Sequence, residues 1–288
     1  MKLDAHQHFW QYNAREYGWM GAGMERLQRD HLPEDLRPLL TATAFDGTIA
    51  VQARQTMEET RWLLDLAAAN PFIKGVVGWV DLCSAGLRQQ LDELAENPKL
   101  VGVRHVIHDE PDDAFMLRED FRRGLGLLAD YNLVYDLLLF PKHLPAACEL
   151  VAQFPNQPFV LDHLAKPFIK AGVLSPWAED LRRLAAYPNV ACKVSGMVTE
   201  ADWQTWQPAD FRPYLDVVFA AFGPDRLMFG SDWPVCTAAG SYEQVVGLVA
   251  DYVAQLSEAE QTAVFDAVFD AVFDAVFGTT AARIYGVH

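Results

Sequence analysis

The sequence predicts an α/β fold, a single-domain (β/α)8 TIM barrel, and three observations carry that prediction. Eight short apolar, β-branched runs recur along the 288 residues. Their starts lie 25 to 43 residues apart, and the segments between them carry apolar residues at helical spacing. No GxGxxG or P-loop turn occurs anywhere, which disfavours the alternative of an open doubly wound sheet. Strands that alternate with helices pair in parallel through right-handed crossovers, and eight such units can close into a barrel. Barrels of about 250 residues form one domain, so a domain over 1–288 is expected.

In chain order the strand runs are Lys2–Phe9, Phe45–Arg54, Ile73–Leu82, Leu100–Ile107, Leu133–Leu139, Pro158–Leu164, Val190–Gly196 and Leu227–Pro234. Leu87, Leu91 and Leu94 after Ser84 give one connecting helix its apolar stripe, and Phe121, Leu125 and Leu128 give another. Two segments break the rhythm. Residues 10–44 hold Tyr12, Tyr17, Trp19, Met20 and Met24 among glycines and are too long for an ordinary βα loop. A lid or insertion loop over the barrel mouth is expected there. Residues Ala263–Gly278 repeat the unit AVFD in tandem, with Phe265, Phe269, Phe273 and Phe277 four apart. Ser257 and Glu260 fit a capping box and Gly278 a C-cap, which predicts a terminal helix over 257–277. It would pack on the barrel wall or on a neighbouring subunit, with packing into the core as the alternative, so a homo-oligomer is one expectation.

Composition excludes several classes of function. The 39 acidic residues against 23 Lys and Arg give a formal charge of −16, which repels phosphate backbones and anionic lipid. Nucleic acid and membrane are therefore not expected partners. The longest apolar runs, such as Leu137–Pro141 and Gly75–Val80, fall far short of the ~18 residues of a membrane span. The first residues, MKLDAHQHFW, place Asp and His where a signal peptide needs its apolar stretch, so a cytoplasmic location is expected. Cys83, Cys148, Cys192 and Cys236 are scattered singly and read as free thiols; Cys236, beside a candidate motif, is the one to watch for reactivity.

The chemistry concentrates at strand ends. In the first strand His6 and His8 are two apart and share a face. Paired imidazoles inside a barrel suit a metal, or a water and a carbonyl that need polar partners; two satisfied polar core residues are the plainer alternative. The sixth run ends on Asp162-His163, and the eighth presents Asp232 between Gly230 and Pro234. First and eighth strands are neighbours in a closed barrel, so His6, His8 and Asp232 can converge. A carboxylate there can take a proton from water while imidazoles orient that water or hold a metal.

HQHFW, GVVGWVDL, GVRH, LDHLAKP, KVSG and FGSDWP, in that order from residue 2 to about residue 286, resemble the amidohydrolase-related barrel hydrolases and, within them, the sugar-lactonase branch. The resemblance implies a (β/α)8 barrel that hydrolyses a lactone ring, an aldonolactone of the L-fuconolactone kind, with His6, His8, His163 and Asp232 in the matching positions. Many metal-dependent relatives carry a bridging lysine on the fourth strand; here that strand has Arg104 and His105, and the seventh offers Lys193 and Ser195. A two-metal centre is not expected. One zinc or no obligatory metal is, without any nucleotide cofactor, and His6, His8, His163 and Asp232 are the metal ligands if one binds.

Asp232 is the expected general base for the attacking water, and His163 with the His6–His8 pair would polarise the carbonyl or place the water. Arg104 is expected to bind substrate or stabilise the oxyanion, with a buried ion pair bracing the barrel as an equal alternative. Arg54, at the end of the second strand, is a further substrate-binding candidate. Lys166 and His105 are read either as ligand contacts or as ordinary structural side chains. The alternatives are a metal-dependent decarboxylase or an aromatic-lactone hydrolase on the same barrel, and a sugar-binding barrel without activity.

Overall fold

The computed structural model describes residues 1–256 and 269–288. Eight parallel strands form one sheet in sequential order: β1 Leu3–Gln7, β2 Gly47–Val51, β3 Ile73–Gly78, β4 Leu100–His105, β5 Val134–Leu137, β6 Phe159–Leu161, β7 Val190–Val194 and β8 Leu227–Phe229. Each lies inside its predicted run and is buried almost throughout. Such strands read as continuous apolar runs because barrel strands are covered on both faces. The fold is a (β/α)8 barrel. Its seam is closed just beyond β8, where the Asp232 N–H donates to the His6 carbonyl (2.8 Å) and the His8 N–H to the Trp233 carbonyl (2.7 Å). Asp4 reinforces the seam by accepting from the Ser231 hydroxyl (2.6 Å), the Ser231 N–H (2.9 Å) and the Tyr242 hydroxyl (3.1 Å).

The outer layer comprises α1 Pro33–Ala42, α2 Met57–Ala69, α3 Leu87–Leu94, α4 Glu119–Leu125, α5 Leu144–Gln153, α6 Trp177–Ala185, α7 Pro208–Phe222 and α8 Tyr242–Gln255. Caps fix several starts. The Thr56 hydroxyl accepts from the Glu59 N–H at α2, and Ser241 with Gln244 forms a reciprocal box at α8. Leu87, Leu91 and Leu94 face the core as their spacing predicts. The 10–44 stretch contains α1 itself, so the extra loop is the part before it. That loop carries a 3-10 turn at Glu25–Leu27, is tied down by the Trp10–His31 bridge, and packs its own cluster of Trp10, Tyr17, Met20 and Leu27. Among the described residues no helix is long and apolar enough to cross a membrane.

Two apolar layers share the barrel. The larger lies between sheet and helices; a smaller one fills the lower interior with Leu3, Val51, Val101, Met228, Ala281 and Tyr285 among others. The chain's last helical stretch supplies the plug of that lower interior. It runs through Phe269–Asp274, a π turn at Ala275–Thr279 and Thr280–Tyr285. Gly278 does not end this helix as expected. It lies inside the π turn, where a Cβ would stand 1.9 Å from the Met1 carbonyl oxygen, and Gly286 is the left-handed C-cap instead. Phe277 is buried against Phe45 and Phe229, while Phe273 is half-buried, so the aromatic stripe drifts off the core. The start of the expected 257–277 helix, with Ser257, Glu260 and Phe265, falls outside the described residues.

Candidate active site

His6 lies on β1 with His8 just beyond it, and their Nε2 atoms are 3.2 Å apart. His8 Nδ1 is 2.8 Å from the Val51 carbonyl, to which it donates, and His6 Nδ1 faces Asp162 Oδ1 at 3.3 Å. Both rings thus direct Nε2 towards the same point, the arrangement that fixes imidazole ligands from behind. Asp232 completes the group, its Oδ1 lying 3.4 Å from His8 Nε2, 3.9 Å from His6 Nε2 and 4.0 Å from His163 Nε2. His163 Nδ1 is held by the Ser195 hydroxyl at 2.8 Å. The four predicted residues therefore meet at one place.

Local backbone geometry presents two of them. His163, Leu164, Ala165 and Lys166 are four successive left-handed residues, and Asp232 has φ +57°. Each costs about 1–2 kcal/mol for a residue with a Cβ, a strain that clusters at functional sites. Gly196 makes room for the turn: at φ +61° it faces His163, and a Cβ there would lie 2.4 Å from His163 Nδ1.

Burial holds the His6 and His163 imidazoles well below their ordinary pKa, so both are neutral. Burial also works to raise the Asp232 carboxyl, but His163 and His8 outweigh it and the group sits below the usual carboxylate range. Neutral imidazoles beside an ionised carboxylate are the donor chemistry zinc takes. Ligand atoms 2.0–2.1 Å from a tetrahedral ion are about 3.3–3.4 Å apart, close to the 3.2 and 3.4 Å that separate His8 Nε2 from His6 and Asp232, with His6 and Asp232 wider apart at 3.9 Å. The residues fit one such ion. A second grouping of His6, Asp162 and His163 fits less well, because Asp162 already pairs with Arg104 (2.9 Å) and Lys193 (3.0 Å).

A cavity of about 300 Å³ opens above this floor, the scale of a small ligand site. His8, His163, Asp232 and Arg104 line it, with Trp10, Trp19 and Met24 from the long first loop and Trp203, which stands against Gly23 of that loop. Arg104 fulfils part of both readings offered for it. It reaches the cavity wall, yet its guanidinium is engaged by Asp162, the Gln52 carbonyl and His6 Nε2 (3.3 Å). Lys166 lines the cavity in a 2.5 Å pair with Glu200. His105 turns to the helical layer, stacked on Phe115 and bonded to Glu110 at 2.7 Å. Cys236 is fully buried, and burial pushes its thiol up, which makes it unreactive.

Arg54 is not among the cavity-lining residues. It lies three residues past the end of β2, and its guanidinium is held by Glu16 (2.6 Å) and Glu59 (3.6 Å), which ties the long loop to α2. Glu59 is buried and accepts the backbone N–H groups of Ala53 (2.9 Å) and Arg54 (2.6 Å). Burial dominates, however, and raises its carboxyl to about 7. A folded-state value above the unfolded one gives stability that is present in full below pH ~4.5 and is lost as pH rises through 7. Against Glu59→Gln, the wild-type protein should lose about 3 kcal/mol of relative stability between pH 4 and pH 8.5. Urea unfolding at the two pH values measures this, and parallel pH curves for both proteins would show that Glu59 does not titrate there.

Residue-by-residue reading of the sequence missed His108, which lies three positions after His105 in a 3-10 turn and lines the cavity. Burial lowers its pKa to about 3, so it faces the cavity neutral. It also missed what Asp162 does. Its neighbour in sequence, His163, marked the strand end, but only the closed barrel puts Asp162 behind His6.

A family model described as amidohydrolase matches residues 3–287. An L-fucono-1,5-lactonase of Burkholderia multivorans is 43% identical over 100% of this chain and 96% of its own. One of Burkholderia ambifaria is 38% identical over 90% of this chain and 87% of its own. The crystal structure of a Burkholderia multivorans amidohydrolase with bound zinc superposes with a TM-score of 0.91, at 43% identity and full coverage of both chains.

Proposed function

The chain belongs to the amidohydrolase family, and from that membership we propose that it hydrolyses an uncharged sugar lactone, an L-fucono-1,5-lactone or close analogue, to the sugar acid. The observation that carries this reading is the meeting of one ionised carboxylate, Asp232, with three imidazole Nε2 atoms at the floor of a cavity. The names of its relatives support the substrate class.

Asp232 acts as general base. Its imidazole contacts run through Oδ1, so Oδ2 takes the proton from the attacking water and later returns it to the alkoxide leaving as the ring opens. His163, fixed by Ser195, orients the water or the carbonyl. Arg104 places positive charge at the wall where the carbonyl oxygen becomes an oxyanion. His6, His8 and Asp232 would hold one zinc ion, which when bound supplies Lewis-acid activation of water and carbonyl. Trp19 and Trp203 offer flat apolar faces to a sugar ring, and the buried Trp10 backs Trp19. Among the described residues the two lining cations, Arg104 and Lys166, are each already paired with a carboxylate. That pairing favours an uncharged lactone over an aromatic lactone acid, which would need free cations.

The test is a panel of sugar lactones with acid release followed at fixed pH and zinc content measured on the same sample. Proton release with a 1,5-lactone is expected. Silence across the panel, or gas release without ring opening, overturns the reading in favour of a decarboxylase. Full activity after verified metal removal would exclude obligatory zinc.

A further inference from the structure

Below the site a chain of buried polar groups runs to the C-terminal plug. The Tyr285 hydroxyl donates to Asp136, 2.9 Å from both carboxylate oxygens. Asp136 Oδ2 accepts from the Lys193 ammonium, which lies 3.0 Å from Asp162 Oδ1. Asp162 faces His6 Nδ1 through the same oxygen at 3.3 Å and accepts from Arg104 through the other at 2.9 Å. Asp136, Lys193, Asp162 and His6 are fully out of solvent. Burying such charges is strongly unfavourable unless every partner is in place. The arrangement closes on itself: two cations, Lys193 and Arg104, face two carboxylates, Asp136 and Asp162.

Lys193 is the shared member. Any change in how strongly Asp136 holds the ammonium changes what remains for Asp162, and Asp162 is the group behind His6. We propose that Tyr285, Asp136 and Lys193 are positioning residues which, through Asp162, fix the ring orientation and tautomer of His6, so that the C-terminal plug is part of the active-site scaffold. Removing the Tyr285 hydroxyl leaves Asp136 one donor short. The carboxylate then draws Lys193 towards itself, and Asp162 shifts on its remaining partners. Partners standing behind ligating or catalytic imidazoles typically contribute about 10–100-fold to affinity or activity. A residue this many contacts removed should lie at the lower end.

The experiment compares the full-length wild type with Tyr285→Phe by 15N NMR of the histidine rings, with His6→Asn used to identify the His6 signals. Lactone kcat and KM and the thermal midpoint are measured on the same samples. The expected result is a displaced or split His6 signal, with kcat down about tenfold and KM within twofold of wild type. Asp136→Asn, which also weakens the hold on Lys193, should displace the same signal. An unmoved His6 signal in Tyr285→Phe overturns the proposal, whatever happens to the thermal midpoint, because Tyr285 would then only fill the plug. The kinetic readout rests on the lactonase reading and the NMR readout does not. An inactive wild type would therefore sink that reading and still leave this one decided.

Discussion

Asp232→Asn should lower lactone turnover by about 10³-fold, within the 10²–10⁴ range of a positioned general base, while the protein stays folded. Asparagine has nearly the same shape and tolerates the left-handed backbone that Asp232 adopts at φ +57°. Its N–H can still donate to the His6 carbonyl and close the seam. What it lacks is the negative charge that His163 and His8 stabilise and the capacity to take a proton. Acid release at fixed pH measures the effect, and circular dichroism checks the fold. Turnover equal to wild type would remove Asp232 as the base outright. A loss of zinc that parallels the loss of activity would instead assign it chiefly to holding the ion.

The largest expected effect on stability comes from Arg104→Met. Arg104 is 4% exposed, and its Nη1 pairs with Asp162, which has no exposure at all. Removing one partner of a buried ion pair typically costs about 3–5 kcal/mol, because the remaining charge cannot reach water. Here Lys193 still faces Asp162, which places the expectation near 3 kcal/mol. The buried Gln52 carbonyl also loses the donor that Arg104 gives it. Urea unfolding at neutral pH is the measurement. A loss below about 0.5 kcal/mol, the size of an ordinary surface substitution, would mean that Lys193 alone neutralises Asp162.

The barrel was legible because its strands are short, covered on both faces and regularly spaced, so each stands out as an apolar run such as Leu100–His105. His6 and His8 were legible through the period of two, and His163 and Asp232 through their position where strands end. Arg54 was misplaced by the same logic. Strand alternation predicts direction only within the strand, and three residues past Val51 the chain has already turned towards Glu16 and Glu59. Lys193 was visible as a charge in an apolar run, but its partners come from elsewhere in the barrel, Asp136 from β5 and Asp162 from the turn just past β6. Tyr285 carried no signal at all, since nothing local shows that a tail residue enters the barrel from below. The end of the last helix was misread at Gly278 because a glycine needed for close approach to Met1 looks in sequence like one needed for a left-handed cap.

The seam between β1 and β8 also sets an order of events for a chain emerging from the ribosome. His6 and His8 are made before Asp232, which follows more than two hundred residues later, and Tyr285 comes later still. Contacts of that sequence separation form late, because the loop they close must first be synthesised and then ordered. A nascent or prematurely terminated chain therefore holds two histidines without their carboxylate and a barrel without its plug. On the proposed lactonase reading, hydrolysis in a synthesis reaction should therefore appear with chains that extend past Tyr285, and chains stopped before it should give none.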